Sequence, residues 1–81
     1  MRAYEKMNLY AELKSHFTML QASAKNEYEC HVAMRAALDP DDEDERHELT
    51  FRADRCCADM LRYERALIYI EELQEREEMN A

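Results

Sequence analysis

The chain has 81 residues, 47% of them hydrophobic and 37% charged, with no Gly and a single Pro. That length allows one domain, and that apolar share is too high for a chain disordered by composition. Without glycine there is neither a P-loop nor a dinucleotide-binding fingerprint, and too few turn residues for a β-sandwich or barrel. The formal net charge is -8, and it is uneven. Residues 1–37 hold five Lys/Arg against four acids, a net of +1; residues 38–81 hold six against fifteen, a net of -9. An acidic half opposes direct binding of nucleic acid, which needs cations to displace counterions. It favours a basic protein partner or imitation of a polyanion.

No apolar run reaches the roughly 18–20 residues of a membrane span. Arg2, Ala3, Tyr4 and Glu5 follow Met1 with no apolar stretch of a secretory signal. A cytoplasmic location without membrane contact is expected. The cysteines are Cys30, Cys56 and Cys57. An odd count with an adjacent pair is no disulfide framework, and reduced thiols fit the cytoplasm.

In the first segment Tyr10, Leu13, Phe17, Leu20, Ala24, Tyr28 and His31 recur at steps of three and four. At about 100° per residue they fall within an arc of roughly 80°. The pattern breaks at Leu38-Asp39-Pro40-Asp41. Pro40 disfavours the α conformation at Asp39, so the first helix stops there. Asp39 is then placed to cap a second helix with Pro40 in its first turn. Leu49, Ala53, Cys56, Met60, Tyr63, Leu67 and Ile70 carry the stripe onward. The pattern predicts an all-α, antiparallel, coiled-coil-like hairpin over residues 1–81: a helix over about 3–37, a turn at 38–40 and a helix over about 40–77. Folding at residue 38 or 39 sets position i against about 77 minus i, so Phe17 faces Met60 and Tyr10 faces Leu67. The acids at 71–78 oppose the dipole of the second helix and predict fraying beyond about Glu75, unless a basic partner holds them.

Two helices meet along one seam, which makes a thin core. Cys57, Leu61 and Ile68 form a second stripe on helix two, so its apolar arc is wider than one neighbour requires. A helical bundle completed by a homodimer or a heterodimer is expected.

No cofactor is called for. Asp44/His47 and Glu27/His31 have ligand-like spacing, but a dimetal bundle site needs four carboxylates and two Glu-x-x-His motifs, so these read as solvated polar residues. No metal is expected. In the same register neither Cys56 nor Cys57 has a nearby histidine, and both read as small apolar residues. No other catalytic constellation is present, and no enzyme is expected. The binding candidates lie on helix two. Phe51 and Tyr69 project away from the seam, with Arg55, Arg62 and Arg65 close by, and aromatic–arginine surfaces are typical of binding hot spots. With Cys57, Leu61 and Ile68 they make up the predicted partner-binding set. Two acidic clusters are further candidates: Asp41, Asp42, Glu43, Asp44, Glu45 and Glu48 at the start of helix two, and Glu71, Glu72 and Glu75 near its end.

A first helix of nearly forty residues, an Asp39-Pro40 turn and a second helix carrying Ala66-Leu67-Ile68-Tyr69-Ile70 resemble the small helical-hairpin co-chaperones of type III secretion needle subunits. That resemblance implies a cytoplasmic hairpin that joins a second chaperone in gripping a needle protein; the acid run after Pro40 departs from it. The hairpin is also similar to dimeric plasmid copy-number regulators, four-helix bundles that hold RNA loops on a cationic first helix. Helix one here carries only +1, against RNA binding. Two functions follow as expectations: a chaperone or adaptor that masks a helix of another protein, or an inhibitor of the kind phages encode, blocking a basic nucleic-acid-binding surface by acidic mimicry.

Overall fold

The computed structural model describes residues 2–80. It is a hairpin of two helices, α1 (Ala3–Ala37) and α2 (Glu43–Asn80), and the described residues contain no strand. The rod measures 62 × 15 × 14 Å, with a radius of gyration of 18.3 Å. A compact chain of this length would have a radius of about 12 Å.

The Arg2 N–H donates to a Glu5 carboxylate oxygen at 3.3 Å, which helps tie off the start of α1. The chain leaves α1 at Leu38, whose backbone is extended (φ -75°, ψ 149°). Asp39 does not cap α2. Its carbonyl accepts the Asp42 N–H at 3.1 Å, closing a four-residue β-turn, and the Asp42 carbonyl accepts the Arg46 N–H at 3.0 Å to start the helix. Asp at the first turn position and Pro at the second are what a type I turn favours, so turn chemistry outcompetes capping. The connection is therefore residues 38–42 rather than 38–40.

The longer turn moves the register. Phe17 packs on Tyr63 with ring centroids 6.2 Å apart, and the Cys56 thiol meets a Glu27 carboxylate oxygen at 3.8 Å. Arg35 donates to Thr50 at 2.9 Å, and Lys6 pairs with Glu77 at 3.6 Å. These partner positions sum to between 80 and 85, not 77. Phe17 therefore stacks on Tyr63 instead of facing Met60, and Tyr10 shares a hollow with Gln74 rather than opposing Leu67. The Lys6 pair also sits where fraying was expected; α2 continues to Asn80, past Glu75 and past residue 77.

The seam on α2 repeats every seven residues, through Leu49, Cys56, Tyr63 and Ile70 and through Ala53, Met60 and Leu67, as a left-handed coiled coil requires. Buried apolar residues are Ala24, Leu49, Ala53, Cys56 and Ile70. No described residue is wholly buried. The buried side chains are small or medium, and the larger Tyr10, Phe17, Tyr28, Met60 and Tyr63 are half-buried. No helix among the described residues is long and apolar enough to cross a membrane.

Candidate functional site

The accessible surface is 6570 Å², whereas a compact monomer of 9.7 kDa exposes about 5,100 Å². The difference exceeds the roughly 800 Å² that each partner contributes to a standard protein interface. Large apolar side chains are among the exposed residues. Phe51 is 62% exposed, Tyr69 60%, Leu61 55% and Ile68 49%.

The seam separates the predicted binding residues of α2 into two groups. One flank is fixed by Thr50, which bonds Arg35, and by Glu71 and Glu75, which share a hollow with Lys14. Half-buried Cys57 and exposed Leu61 and Ile68 belong to this flank by helical phase. The other flank is fixed by Arg55, which lines a hollow with Glu27, His31, Arg52, Cys56 and Asp59. Arg62 and Tyr69 follow Arg55 at seven-residue steps and so lie there too. Phe51 and Arg65 stand between the flanks, on the back of the helix, opposite the seam. All five are exposed, and among the described residues Arg62 pairs only with its neighbour Asp59, at 3.6 Å. The eight residues thus occupy two flanks and a back, not one patch.

The acid clusters sit at the two ends of the rod. Asp41, Asp42, Glu43, Asp44 and Glu45 line a shallow hollow together; no described cation lies within salt-bridge distance of them, while Glu48 pairs with Arg52 at 3.1 Å. Glu72 is exposed on the back of α2.

The hollow at Cys56 is one that sequence spacing misplaced. The expected register put His31 beside Glu45 and His47 and left Cys56 without a histidine. In the structure His31 and Glu27 line the same hollow as Cys56. The signal was the Glu27/His31 spacing; the four-residue turn sends it to a different level of α2. The hollow does not activate the thiol. Burial first, and then the Glu27 carboxylate, push the Cys56 thiol above its ordinary value of 9.0, and an anion beside a thiol opposes thiolate. His31 Nδ1 is buried without a hydrogen-bond partner. Among the described residues no three His, Cys, Asp or Glu side chains are grouped to hold a metal ion. All three cysteines are free: Cys30 exposed, Cys56 buried and Cys57 half-buried.

No family model matches the chain, and neither a curated protein nor a solved structure matches it.

Proposed function

We propose that this protein is a non-enzymatic adaptor or chaperone that covers a helix of another protein. The observation that carries this reading is the excess surface: a rod with no wholly buried side chain among the described residues leaves large aromatics and aliphatics in water at positions the hairpin itself cannot cover. The surface offered to the partner is the back and the Arg55 flank of α2, comprising Phe51, Arg55, Arg62, Arg65 and Tyr69. A partner helix with an apolar stripe and acidic or carbonyl-rich edges suits it: the aromatics supply desolvated area, and the guanidinium forks supply directed hydrogen bonds. The resemblance to needle-subunit co-chaperones supports the same kind of role in the cytoplasm.

One observation favours a second reading, inhibition of a basic nucleic-acid-binding surface. The five acids at 41–45 lie outside salt-bridge reach of every described cation, leaving them available to an outside one. Salt separates the two. The Debye length is about 10 Å at 0.1 M and about 3 Å at 1 M, so binding through the acids collapses as salt rises, while binding through an apolar–arginine face persists. The test is capture of the partner from the native host, followed by titration of purified partner against Tyr69→Ala and against a combined Asp41→Asn, Asp42→Asn, Glu43→Gln, Asp44→Asn, Glu45→Gln variant at two salt concentrations. Loss confined to Tyr69→Ala supports the adaptor. Loss confined to the acid variant overturns it.

A further inference from the structure

The flank of the rod that carries Leu61 and Ile68 differs in kind from the surface just assigned to a foreign helix. It is built by both helices, and the exposed charges on each helix are of one sign. On α1 the positions of this flank, which include Lys14 at the Glu71–Glu75 hollow and Arg35 at Thr50, hold Lys14, Lys25 and Arg35 and no acid. On α2 they hold the exposed Glu43, Asp54, Glu64, Glu71, Glu75 and Glu78, and one half-buried cation, Arg46, which lines the hollow with Arg35, Glu43 and Thr50 at the turn end. Between the charges stand Tyr4, Met7 and Val32 on α1 and Leu61 and Ile68 on α2, all exposed. One side of a rod 62 Å by 15 Å presents about 900 Å², close to the ~800 Å² per partner of a stable interface.

We propose that this flank is covered by a second copy of the chain, giving a four-helix bundle in which α1 of each copy lies over α2 of the other and the two turns share one end. The signs of the charges decide the arrangement. Laying α2 on its own counterpart would set six acids against six acids. Laying α1 on α2 sets the three cations of each copy against acids of the other, and it does so twice by the two-fold symmetry. Following the register of the hairpin, Lys25 of one copy comes level with the Asp54–Leu61 stretch of the other. Every neighbouring pair in the bundle is then antiparallel, and the apolar residues of both flanks meet in the middle. This leaves the Arg62–Tyr69 flank free for a foreign partner.

The full-length chain tests this by sedimentation equilibrium, with helicity at 222 nm read on every variant. Wild type is expected to be dimeric, and Leu61→Glu to raise the dimer dissociation constant thirtyfold or more while keeping its helicity. Tyr69→Glu, on the opposite flank, is expected to leave the dimer unchanged. Lys25→Glu and Asp54→Lys each weaken their own homodimer, and mixing the two restores association, because one of the two symmetric contacts then pairs the reversed charges. A monomeric wild type overturns the proposal while leaving the adaptor surface untested by it. A dimer that survives Leu61→Glu, is broken by Tyr69→Glu, or is not rescued on mixing overturns it as well.

Discussion

Replacing Ile70 by Ala removes three carbons from a side chain that is 6% exposed. At about 0.8 kcal/mol per buried methylene the transfer loss is about 2.4 kcal/mol. A cavity in the seam adds to this, bringing the expectation to about 2.5–4 kcal/mol, within the range for large buried truncations. Domains carry about 0.05–0.15 kcal/mol of stability per residue, so a chain this size has only about 4–12 kcal/mol to lose. Tyr69 is the internal comparison. It is the adjacent residue, yet 60% exposed, and Tyr69→Ala is expected to stay within about ±0.5 kcal/mol. Urea melts at one fixed protein concentration read both, since self-association would make the midpoint concentration-dependent. If the two variants cost the same, or if Ile70→Ala is neutral, the seam assigned to α2 is wrong.

Phe17→Ala deletes the ring that packs 6.2 Å from Tyr63; a loss of about 2–4 kcal/mol is expected in the same melts, at the low end for a phenylalanine because the ring is only half-buried. Pro40→Ala is expected to cost about 0.4–1 kcal/mol by freeing the unfolded chain at the turn, with helicity unchanged; a stabilised variant would contradict the Asp39–Asp42 turn. The Cys56 thiol is held above 9.0 in the fold, so above that pH the unfolded chain releases a proton that the folded chain keeps, and stability falls as pH rises. Below that window the contribution is fully present, and Cys56→Ala should flatten the alkaline slope relative to wild type. An identical slope in the variant would assign alkaline destabilisation to other groups.

The two helices are legible in the sequence because their apolar steps of three and four run unbroken for about twenty residues on each side of a proline. The level at which they meet is not. Asp39 and Pro40 suit both a helix start and a β-turn, and local chemistry alone does not rank the two; choosing the turn lengthens the connection and slides every cross-helix pair. That slide is why His31 was expected near His47 and instead lines the Cys56 hollow. It is also why Lys6 and Glu77 were not paired in advance. The outward direction of Phe51, Arg62 and Tyr69 was readable from helical phase within α2 alone, since it needs no register. Their separation from the Cys57, Leu61 and Ile68 stripe was readable in the same way; which residues of α1 border each flank needed α1 in place.

The most direct test of the central claim is the affinity of Tyr69→Ala and Arg62→Ala for the purified helical partner, measured at about 0.1 M and about 0.5 M salt. Each is expected to lose about thirtyfold or more, about 2 kcal/mol, at both concentrations while the fold stays intact. Unchanged affinity in both variants, or binding that vanishes for wild type at the higher salt, would contradict a partner held on the aromatic–arginine face.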